Sequence, residues 1–203
     1  MSGYDQFVAK LERSEIEAKA IAWRIHFGAE AAWVPDIPRI LERELPQLMP
    51  NFAVRVWARG EMPDEEARTW HAVPSIDFRE DVYEQLCRGI PRARFTAAHE
   101  LGHLFLHNGE SRPRAVAPIR ARTIPRSMSS EGQANDFAAS FLMPEFIVRD
   151  FGSPADLASG CQVSPMAAEI RMRELRVWPK KKPPVPEVEE YLREMKAGPK
   201  RRK

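Results

Sequence analysis

Residues 94–108 of the chain read RFTAAHELGHLFLHN, and this stretch decides both the central helix and the chemistry predicted for the protein. Its apolar residues recur at intervals of three and four, which predicts a helix. His99 and His103 are four residues apart, so both side chains project from nearly the same side of that helix. Histidines in this HExxH pattern can bind one zinc ion together. The stretch therefore predicts a helix that supplies two metal ligands.

Glu100 directly follows the first histidine of the motif. A helix with 3.6 residues per turn rotates successive side chains by about 100°, so the carboxylate points beside the metal rather than at it. In zinc peptidases a carboxylate at this place takes a proton from the water that attacks the peptide carbonyl. We therefore predict that Glu100 is the catalytic base.

The third metal ligand is expected on the next helix. That helix is predicted to run from a capping box of Ser130 and Gln133 to Pro144. Catalytic zinc commonly has three protein ligands, and His, His and Glu form one of the recurrent sets. Glu131, near the start of the helix, is the predicted third ligand. Asn135, one turn further along the same face, is predicted to orient one of the ligand histidines.

Other residues are alternatives to Glu131 as the third metal ligand. A zincin pattern with a third histidine six positions after the second would need one at Gly109, so that pattern is excluded. His107 lies at the end of the helix, past the point where the ligands converge, and is predicted to orient or cap. Glu110 is close in sequence but follows a glycine and lies on no second helix. His26 and His71, in the N-terminal half, are predicted to be structural.

The rest of the chain predicts an α+β fold, in which helices surround a small, mainly antiparallel sheet. Residues 4–26 have the pattern of one amphipathic helix. Residues 51–58 alternate between apolar and polar, and residues 69–77 can supply further strand. Ser153 and Ser164 each precede a proline, as at a helix start. The two short helices that these serines begin have a faint helix-turn-helix outline, but packing against the domain is favoured.

We predict one zinc metallopeptidase domain at residues 1–178, followed by a Pro/Lys-rich linker and basic tail at 179–203. The parts of the domain are predicted to be N-terminal helices at 1–50, a small sheet at 51–78, catalytic helices at 94–144 and a C-terminal helical part at 145–178.

Charge, cysteines and hydropathy limit the class of protein. The 31 basic and 29 acidic residues give a net charge of +2, too balanced to drive nucleic-acid binding by field strength alone. Weak DNA contact is predicted through the arginine-rich segment Arg112–Arg126 or the basic tail. Cys87 and Cys161 form no CxxC pair and are predicted to be small core residues of a protein in the reducing cytoplasm. No apolar stretch approaches the roughly 18 residues of a membrane span.

Two blocks of sequence resemble the ImmA/IrrE family of metallopeptidases: residues 94–107, RFTAAHELGHLFLH, and residues 131–144, EGQANDFAASFLMP. Their order and separation agree with the family over about residues 50–176, whereas residues 1–50 match weakly and the tail does not match. The resemblance implies a compact, helix-rich zincin of the gluzincin type. It also implies a short sheet beside the HExxH helix, and Glu131 as the third zinc ligand.

The resemblance also implies a function. Members of the family typically cleave or inactivate helix-turn-helix repressors encoded nearby. We therefore expect a zinc-dependent endopeptidase that cleaves such a transcriptional repressor and derepresses stress-response or mobile-element genes. The alternative is a DNA-associated regulatory or antitoxin-like binding module with a non-proteolytic metal site. An arginine of the 112–126 segment, His107 or His71 could stabilise the oxyanion, and the sequence does not choose among them.

Overall fold

The computed structural model describes residues 5–107 and 124–179, where helices surround one small sheet. Segment 108–123, with most of the arginine-rich stretch, and the tail from residue 180 lie outside the described residues. The α-helices are α1 (Arg13–His26), α2 (Ile37–Arg39), α3 (Leu45–Leu48), α4 (Glu80–Cys87), α5 (Pro91–Leu106), α6 (Ser130–Leu142), α7 (Glu145–Val148), α8 (Pro154–Cys161) and α9 (Pro165–Glu174). A π-helical turn, Ile40–Glu44, joins α2 to α3, and a 3₁₀ turn, Arg126–Met128, precedes α6.

The sheet has three strands, β1 (Ala53–Trp57), β2 (Ala67–Trp70) and β3 (Ser75–Arg79), in the order β1-β3-β2. Strand β2 pairs antiparallel with β3, and β1 pairs parallel with it. The sheet is therefore mixed, where the sequence predicted it to be mainly antiparallel. The alternation of side chains indicates which face of a strand is buried, but it does not determine the direction of the neighbouring strand. The helix-rich α+β class, with the sheet against the HExxH helix through β2, is confirmed.

Helices α5 and α6 pack against each other at the centre of the core, where Leu101, Leu104, Phe137 and Phe141 are fully buried. Their backbones approach closely at Gly102. A Cβ atom there would lie 3.0 Å from both the Cα and the carbonyl oxygen of Ala134. Glycine therefore permits a helix spacing that a larger residue would disturb.

The N-terminus differs from the prediction of one helix over residues 4–26. Helix α1 begins only at Arg13, after Glu12, which forms a capping box with Glu15. The preceding residues are extended and pair with the segment before α6: the Val8 amide donates to Met128 O at 2.9 Å, and the Leu11 amide to Ser127 O at 2.9 Å. These long-range hydrogen bonds satisfy the backbone in place of a helix. We call residues 5–12 the N-terminal segment.

The predicted starts of the two short C-terminal helices are confirmed. Ser153 and Ser164 cap α8 and α9, and a proline follows each of them. Cys161 is buried, as predicted, whereas Cys87 is exposed. Cys87 is the last residue of α4, and the buried residues of that helix are Val82 and Leu86. Among the helices of the described residues, none is long and apolar enough to cross a bilayer.

Candidate metal centre

Two consecutive helices bring His99, His103 and Glu131 to one point. Helix α5 carries both histidines, and Glu131 is the second residue of α6. The two Nε2 atoms of the histidines are 3.0 Å apart. Glu131 Oε2 lies 3.2 Å from His99 Nε2, and Glu131 Oε1 lies 3.3 Å from His103 Nε2. The Glu131 carboxylate thus directs one oxygen at each of the two histidine nitrogens, and the three side chains converge as predicted.

These separations fit a tetrahedral ion. Two ligand atoms at 2.0–2.1 Å from zinc, at the tetrahedral angle, lie about 3.3 Å apart. The two histidine nitrogens are 3.0 Å apart, and each lies 3.2 or 3.3 Å from the nearer oxygen of the Glu131 carboxylate. In the part of the chain that the structure describes, no fourth His, Cys, Asp or Glu joins the group. Three protein donors are the number typical of a catalytic zinc site, whereas structural sites use four.

The electrostatics of the group also favour a cation. Burial alone would raise the pKa of Glu131, but hydrogen bonds from His103 and His99 lower it to about 2. Burial would lower the pKa of His99, but the hydrogen bond to Glu131 and the charges of Glu100 and Glu131 outweigh it, so the pKa is raised. An ionised carboxylate therefore faces two imidazoles, and positive charge between them is favourable.

Each ligand histidine has a second partner on its other ring nitrogen. His99 Nδ1 is 3.1 Å from Asn135 Oδ1, and His103 Nδ1 is 3.2 Å from His107 Nδ1. Asn135 and His107 thus lie where the sequence analysis placed orienting residues, and their roles stay predictions. Burial, followed by the charge of His103, lowers the pKa of His107 to about 4. His107 is therefore neutral at pH 7 and able to accept a hydrogen bond.

Glu100 is only 4% exposed and does not belong to the converging donors. Thr69 of β2 holds it: the threonine Oγ1 is 2.7 Å from Glu100 Oε2 and 3.0 Å from the Glu100 carbonyl oxygen. Sequence reasoning missed Thr69. The one available signal was that a strand predicted beside the HExxH helix contained a hydroxyl residue.

Gln133 is a second residue that the sequence analysis misjudged. It was assigned to a capping box with Ser130, but Ser129 caps α6 by accepting a hydrogen bond from the Gly132 amide. Gln133 is instead 1% exposed and contacts His107, with 3.1 Å between Oε1 and the imidazole Nε2. Its position four residues before Phe137, on the apolar face of the helix, was the signal for burial.

The remaining histidines and the alternative ligand Glu110 differ in where they lie. His26 is exposed at the end of α1, where it packs against Trp23 and Phe27, and it is not among the converging donors. His71 follows β2, and its charge contributes to the lowered pKa of His107. It stays a candidate for oxyanion stabilisation. Glu110, the alternative ligand, is outside the described residues.

The α8–α9 pair packs against the domain, as predicted. Its apolar residues, Leu157, Cys161, Val163 and Ala168, belong to the core. Gln162 takes a left-handed conformation with φ of +52° between the helices. The exposed side of α9 carries Met166 and Ile170. Arg173 on this helix is paired with Glu169, so α9 does not have the basic surface expected for DNA contact.

The site has the pattern typical of an HExxH metallopeptidase of the gluzincin kind: two histidines and a glutamate from consecutive helices, with a buried glutamate after the first histidine. Residues 88–173 match the family model of the IrrE N-terminal-like domain, Peptidase_M78. The match includes His99, Glu100, His103 and Glu131, and it supports a metallopeptidase. No curated protein matches the chain.

Proposed function

We propose that the protein is a zinc-dependent endopeptidase that cleaves a helix-turn-helix transcriptional repressor and thereby derepresses stress-response or mobile-element genes. The observation that carries the enzymatic part is the convergence of His99, His103 and Glu131 at the separations of tetrahedral zinc ligands. It lies beside the buried carboxylate of Glu100, within an IrrE-like peptidase domain.

The three donors would hold the ion, and Asn135 and His107 would fix their orientation. With Nε2 of His99 and His103 directed at the ion, each Nδ1 carries the proton and donates it in a hydrogen bond to its partner. When bound, zinc supplies a Lewis acid that polarises the substrate carbonyl and makes water more acidic.

Glu100 would move the proton. Thr69 donates a hydrogen bond to Oε2 of Glu100, so we assign proton transfer to Oε1. That oxygen accepts a proton from the attacking water and later gives it to the leaving amine. The small sheet contributes to catalysis by placing Thr69 against α5. In a buried site this hydrogen bond restricts the carboxylate to one orientation.

The substrate class rests on the resemblance of residues 94–107 and 131–144 to a family that typically acts on helix-turn-helix repressors. We extend the proposal to weak DNA contact through the arginine-rich segment Arg112–Arg126 or the basic tail, which would place the enzyme beside a DNA-bound repressor. Arg126 is the one arginine of this segment that the structure describes, and it pairs with Asp136.

Replacing Glu100 tests the enzymatic proposal. Purified wild type and Glu100→Gln are incubated with zinc and with the helix-turn-helix protein encoded beside the gene, and fragments are identified by mass spectrometry. We expect the variant to lose cleavage while it keeps its zinc, because glutamine preserves the shape but cannot take a proton. Glu84→Gln, an exposed position on α4, should cleave like wild type. Derepression that survives Glu100→Gln would favour the binding-module alternative. Cleavage that survives it would contradict the role of Glu100 as the catalytic base.

A further inference from the structure

A chain of hydrogen bonds leads from a metal ligand to the N-terminal segment. His103 Nδ1 contacts His107 Nδ1 at 3.2 Å, and His107 Nε2 contacts Gln133 Oε1 at 3.1 Å. Gln133 Nε2 then donates to two backbone carbonyls, Ala9 O and Ser127 O, each at 2.7 Å. The chain is buried at its centre, since His107 is 8% exposed and Gln133 is 1% exposed.

The donors and acceptors of this chain are consistent in one direction. With Nε2 of His103 directed at the metal, its Nδ1 is protonated and donates to His107. Neutral His107 accepts at Nδ1, so its Nε2 carries the hydrogen and donates to Gln133 Oε1. The two hydrogens of the Gln133 amide serve the two carbonyls. A flipped amide would set its oxygen against both carbonyls and its NH₂ group against the His107 Nε2–H, which the network excludes.

The N-terminal segment also holds the start of α6, which carries the third donor. Ser129 Oγ donates to the Asp5 carboxylate at 2.8 Å, and the Glu131 amide lies 3.3 Å from Asp5 Oδ1. Residues 8 and 11 donate backbone hydrogen bonds to the 3₁₀ turn just before α6. One extended segment therefore contacts the supports of both His103 and Glu131.

From these contacts we infer that Gln133 is a positioning residue for the metal ligand His103, acting through His107, and that it couples docking of the N-terminal segment to metal binding. The inference rests on the metal site of the proposed function. Coupling of this kind is reciprocal: a docked segment raises metal affinity, and bound metal stabilises the docked segment by the same factor.

Zinc affinity of the full-length protein tests the positioning role. After the metal has been removed with a chelator, zinc is titrated in competition with a chromophoric chelator. We expect Gln133→Leu to bind zinc about 10- to 100-fold more weakly than wild type, the usual effect of losing a residue that orients a ligand histidine. Gln85→Leu on α4 is the matched control and should stay within twofold of wild type. Affinity of Gln133→Leu within threefold of wild type would overturn the inference.

Hydrogen exchange at residues 5–12 tests the coupling, which a purely structural role of Gln133 would not produce. In wild type and Gln85→Leu, zinc should slow exchange of the Val8 and Leu11 amides. In Gln133→Leu this zinc effect should disappear, and its persistence would overturn the inference. If circular dichroism shows that Gln133→Leu does not fold, Gln133→Glu carries the test. It can accept from His107 but cannot donate to Ala9 O and Ser127 O, so it should also lose the zinc effect.

Zinc binding by the wild type distinguishes a failure of this inference from a failure of the proposed function. A wild-type protein that binds no zinc would overturn the proposed function together with the inference. A wild type that binds zinc, beside a Gln133→Leu variant with unchanged affinity and unchanged zinc effect, would overturn the inference alone.

Discussion

Thr69 holds the carboxylate of Glu100 through a 2.7 Å hydrogen bond. A hydrogen bond to a charged group contributes about 1.5–3 kcal/mol, which corresponds to about 10- to 100-fold in rate if it is needed in the transition state. We predict that Thr69→Val, which keeps the shape but cannot donate, lowers kcat for cleavage of the proposed substrate by about that factor. KM and zinc content should change little, and steady-state kinetics with elemental analysis would measure all three.

Thr69→Ser is the informative control, because serine restores the hydroxyl without the methyl group. It should recover most of the kcat lost in Thr69→Val. Equal loss in both variants would indicate that Thr69 acts by packing alone.

His107 predicts a pH dependence of stability. Its pKa of about 4 in the folded protein is below the ordinary 6.5, so between these values the unfolded chain binds more protons. Stability therefore rises with pH across this window, and His107 alone should make the metal-free protein about 2 kcal/mol less stable at pH 5 than at pH 7.5. Urea unfolding at both pH values should show this loss in wild type and a smaller loss in His107→Gln. The same loss of stability in both proteins would contradict the assignment of this pH dependence to His107.

At the scale of elements, the spacing of α5 and α6 sets the distance from the histidines to Glu131. A Cβ at residue 102 would lie 3.0 Å from backbone atoms of Ala134, which cannot move without shifting α6. Overpacking lowers the unfolding free energy by about 1–3 kcal/mol, and the higher helix propensity of alanine offsets about 1 kcal/mol of this loss. We predict that Gly102→Ala loses about 1 kcal/mol in stability and binds zinc more weakly.

Thermal denaturation and zinc competition measure the two effects. Gly60→Ala, where an added Cβ meets nothing within 4 Å, serves as the control and should leave both unchanged. Unchanged zinc affinity in Gly102→Ala would show that the helix spacing does not limit the metal centre.

Local signals predicted some elements well and others poorly. The serine caps of α8 and α9 and the HExxH helix follow from side chains within a few residues, so the sequence was sufficient. The extended segment at residues 5–12 and the parallel pairing of β1 depend on partners far along the chain, which a local pattern does not reveal. For the same reason, Thr69 and Gln133 could not be connected to the site before their partners were known.

At the scale of the whole molecule, a buried ion pair joins the two ends of the described fold. Arg171 of α9 contacts Glu17 of α1 at 2.6 Å, with side chains 7% and 16% exposed. Arg171 Nε also donates to Met143 O, just after α6, at 2.9 Å. Removing one partner of a buried pair costs about 3–5 kcal/mol, because the other charge is left buried. We predict a loss of this size in unfolding free energy for Arg171→Ala.

Arg173→Ala on the same helix is the matched control, because Arg173 pairs with Glu169 at the surface and is 64% exposed. Exposed pairs contribute about 0–1 kcal/mol, so this variant should unfold nearly like wild type in denaturant titrations. Similar losses in the two variants would contradict a role for the buried pair in joining α1 to α9.

The organisation of the whole chain was predictable where chemistry constrains it. Metal coordination requires several donors at one point, so the spacing within residues 94–108 and the position of Glu131 were sufficient to anticipate the cluster. The boundary between the domain and the tail at residue 179 stays a prediction, as does cleavage of a helix-turn-helix repressor. Neither of these follows from the residue spacing that predicts the metal centre.

The most direct test of the central claim is the zinc content of wild type and Glu131→Gln after dialysis against the same chelator. The account predicts about one zinc per chain in wild type and its loss in Glu131→Gln, because the amide is a much weaker ligand than the carboxylate. Zinc retained equally by Glu131→Gln, or none bound by wild type, would contradict the assignment of His99, His103 and Glu131 as the metal site.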